Sequence, residues 1–165
     1  MSGAAAMTTV ATVATAVTAV TTVAVTDDQG RVTAPQWLVR AERVHRQLRP
    51  GLEADYAAHL GRVFADGARM CVAADGESVL GLALWRMLEN TFYGRHLYVD
   101  DLVTDAARRS AGVGQALLAH LEAKARAAGC RLLALDSGTQ RHDAHRFYFR
   151  EGMSITSFKF NKTLE

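Results

Sequence analysis

A chain of 165 residues, 49% apolar and 22% charged, has the size and ordinary composition of one globular domain with a substantial core. The net charge of +2 is too weak a basic balance to argue for a nucleic-acid partner. The only cysteines, Cys71 and Cys130, each sit in or beside an apolar run and read as buried free thiols of a reducing compartment, not as a disulfide framework.

Residues 1–19 form a low-complexity Ala/Thr/Val extension, with Met7 a second candidate start, and residues 20–165 form the domain. The extension lacks the basic start and Leu-rich heart of a signal peptide, and its threonines dilute it as a membrane span. A cytoplasmic protein with no membrane partner is expected. Thr21–Thr26 reads as a first strand closed by Asp27–Gly30. From Pro35 the pattern turns helical: Trp37, Leu38, Ala41, Val44, His45 and Leu48 share one face, and Pro50-Gly51 ends the run. Arg40, Arg43, Arg46 and Arg49 fall on one stripe of that helix, read as a solvated face or as the footprint of an anionic partner.

A second helix carries Leu52, Tyr56, Leu60 and Val63 and ends near Gly67. Met70–Ala73 and Val79–Met87 flank Asp75-Gly76, a strong hairpin signal. His96–Thr104 is a β-like run, Gln115–Ala128 a helix with Gly129 at its C-cap, and Arg131–Asp136 another strand. A short helix, His142–Glu151, stops at Gly152, and Ser154–Lys159 reads as a last strand. The order is β-α-α-β-β-β-α-β-α-β, an α/β (α+β) domain whose mixed, mostly antiparallel sheet has a parallel, right-handed βαβ crossover at its centre.

Three features of this chain point to chemistry. Arg109-Ser110-Ala111-Gly112-Val113-Gly114 joins a strand to a helix start, where backbone N–H groups and the helix dipole attract an anion. Taken alone, the same glycines also suit a tight turn with no ligand. Asp100-Asp101 lies on the strand that feeds this loop. Neighbours on a regular strand point to opposite faces, so both reach one cleft only if a bulge intervenes. Ala144-His145-Arg146-Phe147-Tyr148-Phe149-Arg150-Glu151-Gly152-Met153 follows one strand and one turn later.

Together these resemble the GNAT superfamily of acetyl-CoA-dependent N-acetyltransferases. Its glycine loop stands here as Arg109 to Gly114 and its A-x-x-F-Y-x-x-x-G-F as Ala144 to Met153, with Met153 replacing the usual aromatic. The resemblance spans about residues 21–161 and implies the GNAT fold with acetyl-CoA as co-substrate. The pyrophosphate would meet Arg108, Arg109, Ser110, Ala111, Gly112, Val113, Gly114 and Gln115, and the pantetheine arm the backbone of Leu102, Val103 and Thr104. An N–H of that stretch would polarise the thioester carbonyl. The amine attacks directly, so no enzyme nucleophile is needed.

Similarity to polyamine acetyltransferases implies Asp100 as the base, working through water, and Asp101 as a contact to a small cationic amine. Tyr148 falls where the family places the acid that protonates the thiolate. Where relatives often have an Asn, this chain has Arg141, suited to a CoA phosphate instead. Glu89 and Asn90 lie on the connection that borders the acceptor in relatives. His142 and His145 have i,i+3 spacing but no evident third ligand, so no metal is expected. The resemblance also allows a homodimer. Two alternatives stay open at this point: a non-catalytic acyl-CoA-binding or regulatory module, and a protein (Lys or N-terminal) acetyltransferase.

Overall fold

The computed structural model describes residues 20–109 and 111–164. Strand β1 (Thr21–Ala24) precedes helices α1 (Pro35–Leu48) and α2 (Tyr56–Ala65). Strands β2 (Arg69–Asp75), β3 (Ser78–Asn90) and β4 (Gly94–Thr104) follow, then a single 3-10 turn (Ala106–Arg108). Helix α3 (Val113–Ala127), strand β5 (Leu133–Leu135) and helix α4 (His142–Arg150) complete the order. Local chemistry explains the boundaries. Pro35 sits in the first turn of α1, and Asp55 caps α2 by accepting the Ala58 N–H at 2.9 Å. Gly76 turns the β2–β3 hairpin with φ 55°.

The sheet runs β1-β2-β3-β4-β5, antiparallel throughout except for the parallel β4–β5 pair. Strand alternation sorts its side chains into two cores. Met70, Val72, Leu82 and Leu84 pack with Leu38, Val44, Leu60 and Phe64 of α1 and α2. Cys71, Ala73, Ala83, Trp85, Leu97 and Val99 pack with Val113, Leu117, Leu121 and Ala125 of α3. Gly81 sits under α3, beside β4. A Cβ there would lie 2.7 Å from the Val103 carbonyl oxygen and 2.9 Å from Val113 Cγ1.

Two expectations change. Ser154–Lys159 is not a strand; it runs without a ladder, with Ile155 and Phe158 exposed. Alternation needs a partner edge long enough to hold it, and the outer edge of β5 is only three residues long, with none of 154–159 paired to it. The arginine stripe of α1 is not merely solvated. Arg43 reaches Asp105, Arg49 reaches Asp101, Arg40 reaches Glu77, and Arg46 binds the carbonyls of Leu52 and Glu53. The stripe ties α1 to the hairpin turn, to the loop that opens α2 and to β4. The extension at residues 1–19 lies outside the described residues.

Candidate active site

The β3–β4 ladder pairs Leu84 with Asp101 and Trp85 with Val99, so Asp100 is the extra residue of a β-bulge. The bulge overrides the alternation and turns Asp100 and Asp101 toward the same side, where both line a cleft of about 660 Å³. Tyr98 and its cross-strand partner Arg86 line it too, and α1 and α2 contribute His45, Arg49 and His59.

The two carboxylates sit in different surroundings. Asp101 has both oxygens engaged: Oδ2 lies 3.0 Å from His45 Nε2, and Oδ1 accepts from Arg49 Nε at 2.7 Å. His45 is buried and its Nδ1 lies 3.0 Å from the Tyr56 hydroxyl. An ionised carboxylate only accepts, so Nε2–H donates to Asp101. Burial pushes the Tyr56 phenol up, so it stays protonated beside Nδ1. Asp100 instead accepts from Arg86 Nε at 2.8 Å through Oδ2. Burial outweighs that bond and raises its carboxyl above the usual range. Tyr98 donates to Asp136 Oδ2 at 2.7 Å, and Lys159 Nζ lies 2.6 Å from the same oxygen. Burial works against the Asp136 charge, but those two partners prevail and lower its pKa.

A second, smaller space of about 70 Å³ opens beside β4. The β4–β5 ladder ends at Val99 and Leu135, while β4 continues to Thr104. Beyond Val99 the β4 edge therefore has no ladder partner on that side among the described residues. The gap is lined by Leu102, Ser137, Gly138, Arg141 and Tyr148, and it shares Arg49, Asp100, Asp101 and Asp136 with the larger cleft. Ser137 Oγ is buried without a hydrogen-bond partner among the described residues. Burial raises the Tyr148 phenol above its ordinary value, so it is protonated at neutral pH.

Further along, Gly112 caps α3 in the left-handed region at φ 76°. Arg108 and Arg109 are exposed and form no ion pair among the described residues. Gln47 accepts the Ala106 N–H at 2.9 Å, and Asp105 caps the 3-10 turn while binding Arg43 at 2.5 Å. The Arg43 guanidinium holds the Asp105 carboxyl down to about 2. α1 thus anchors the loop that leads to the helix start.

The Acetyltransferase (GNAT) family profile matches residues 34–153. The chain belongs to the GNAT acetyltransferase family. It is 49% identical over 70 residues to the uncharacterized N-acetyltransferase YhdJ of Bacillus subtilis, covering 42% of this chain and 49% of that protein. Identity to the aminoalkylphosphonate N-acetyltransferase of Salmonella typhimurium is 42% over 66 residues, covering 40% and 43%. The chain spans about half the length of the curated relatives it matches. Its fold is that of AAC(6')-Iy, solved with the bisubstrate analog CoA-S-monomethyl-acetylneamine, at TM-score 0.72 and 17% identity over 89% of this chain and 99% of that one.

This GNAT domain brings most of the expected residues together. Asp100, Asp101, Leu102, Arg141 and Tyr148 line one continuous space. Val103 and Thr104 continue the unpaired β4 edge, and Arg109, Ala111, Gly112, Val113, Gly114 and Gln115 run from the 3-10 turn into α3. Ser110 lies outside the described residues. Glu89 and Asn90 are exposed at the far end of β3, outside the cleft lining, and Asn90 Oδ1 accepts the Phe92 and Tyr93 N–H groups of the turn. His45, Tyr56, Arg86, Asp136 and Lys159 are the residues sequence reasoning missed. His45 on an apolar helix face carried the one usable signal, since a buried imidazole needs partners.

Proposed function

We propose that this protein transfers the acetyl group of acetyl-CoA to the primary amine of a small molecule. The observation that carries this reading is the junction of the two spaces. The cofactor-side slot and the acceptor-side cleft share Asp100 and Asp101, so an amine and a thioester would meet at those carboxylates. The chain's own residues fit the co-substrate: the unpaired β4 edge would bind an amide-bearing arm, Ser137 Oγ offers an unused polar atom, and Arg108 and Arg109 stand beside the helix start for phosphates. When bound, acetyl-CoA supplies the thioester that the amine attacks. Two of the similar proteins are named for small amines or contain one, an aminoalkylphosphonate and a neamine analog, and the cleft is of small-molecule size.

Asp100 accepts the proton of the incoming ammonium through water; burial makes it a stronger base than an ordinary carboxylate. Asp101, tied to His45 and Arg49, holds its negative charge on the acceptor side. As the N–C bond forms and the C–S bond breaks, Tyr148 donates its proton to the departing sulfur. Release of free thiol from acetyl-CoA across a panel of primary amines tests the reading. Tyr148→Phe should lower kcat by about 10²-fold and leave CoA affinity unchanged. CoA binding with no thiol release for any amine would instead make this a binding module.

A further inference from the structure

A cleft with three carboxylates would suit a polyamine if the carboxylates were unopposed, and they are not. Asp100 is bound by Arg86, Asp101 by Arg49 and Asp136 by Lys159, and all six side chains line the cleft. Its formal charges balance. A dication entering such a space gives up its hydration and meets as many cations as anions, whereas a zwitterion finds an opposite charge for each end.

The cations also retain donors. Arg86 uses Nε on Asp100 and one terminal nitrogen on Asp66, and its other terminal nitrogen makes no hydrogen bond among the described residues. Arg49 likewise uses Nε and one terminal nitrogen. Lys159 spends one of three donors on Asp136, and its side chain is 58% exposed. Arg86 is the cross-strand partner of Tyr98, whose hydroxyl donates to the oxygen that Lys159 pairs with, so both cations border Tyr98 on the acceptor side of Asp100.

Resting on the transferase reading, we propose that the acceptor carries an anionic group, a carboxylate or a phosphonate, beside its amine. Arg86 and Lys159 bind the anion while Asp100 receives the ammonium. A planar carboxylate and a tetrahedral phosphonate share this chemistry, and the choice of probes separates them.

The test compares kcat/KM for 2-aminoethylphosphonate, β-alanine, propylamine and putrescine, in the wild type and in Lys159→Glu. Lys159 touches Asp136 and not Asp100, so the base is left in place. One or both anionic amines should exceed propylamine and putrescine by at least about tenfold, the worth of one charge-assisted contact. Lys159→Glu should erase that margin, read as the ratio of kcat/KM for the preferred anionic amine to that for propylamine within the variant. Calorimetry with CoA present should show the same loss of affinity for the preferred anionic amine. Putrescine or propylamine used as well as both anionic amines, or an equal loss for all four in Lys159→Glu, overturns the proposal and leaves the transferase reading standing. No thiol release with these four or with any other amine overturns both.

Discussion

The two halves of the proposed site are built from different materials. The proposed cofactor contacts would come mainly from the backbone of one contiguous stretch, from the unpaired end of β4 toward the start of α3. The larger cleft, proposed for the acceptor, is lined by side chains of α1, α2, β3, β4, the end of β5 and the C-terminal segment. A backbone site tolerates side-chain change and fails when the backbone is displaced. A side-chain site fails one residue at a time. The two halves should therefore break differently.

The largest effect is expected at the shared carboxylate. Asp100→Asn should lower kcat/KM by about 10²–10⁴-fold while CoA affinity holds. In the proposed mechanism the base works only when ionised, so wild-type activity should fall as pH drops through the folded pKa of Asp100, which burial places above the ordinary carboxylate value. A pH–rate profile of the variant that keeps this acid limb would move the base elsewhere.

Gly81→Ala tests the backbone side next. Its Cβ would lie 2.7 Å from the Val103 carbonyl oxygen, so α3 and β4 must separate; denaturant unfolding should show a loss of about 1–3 kcal/mol. A variant as stable as wild type would mean that α3 does not pin the cofactor edge. Gly112→Glu should weaken CoA by about tenfold in calorimetry, because it forces a side chain into the left-handed region and sets a negative charge at the α3 N-terminus. Unchanged affinity would remove the pyrophosphate from this loop.

The smallest effect belongs to Arg43→Ala, which releases the clamp of α1 on the loop. Arg43 is mostly exposed, so solvent screening limits the loss to about 0.5–1 kcal/mol. Asp105 titrates at about 2 when folded and near the ordinary value of about 4 when unfolded. The pair therefore stabilises the fold fully above about pH 4 and ceases to do so as pH falls through about 2. The gap between variant and wild type, followed by thermal unfolding, should close over that window.

The contrast also explains what was legible in the chain. The glycine loop, the carboxylate pair and Tyr148 each lie in a short segment whose local pattern has a physical meaning. Whether Asp100 and Asp101 face the same way depends on a one-residue mismatch with β3, which neither strand reveals by itself. Arg49, Arg86 and Lys159 come from three segments with unrelated patterns and meet only across the folded cleft. The resemblance set Glu89 and Asn90 beside the acceptor, yet they stand at the end of the thirteen-residue β3, outside the cleft lining. Ser154–Lys159 alternated like a strand, yet it pairs with nothing, since the free edge of β5 is only three residues long.

By itself the sequence determined the element order from β1 to α4 and the glycine-marked start of α3. These follow from periodicity and from glycine and proline, which act within a few residues of themselves. Only the tertiary structure decided the larger cleft. There the bulge at Asp100 turns two neighbours one way, α1 brings His45 and Arg49 onto Asp101, and the C-terminal segment sets Lys159 against Asp136. Charge balance is a property of groups brought together from distant segments, so it comes into being only when the chain folds.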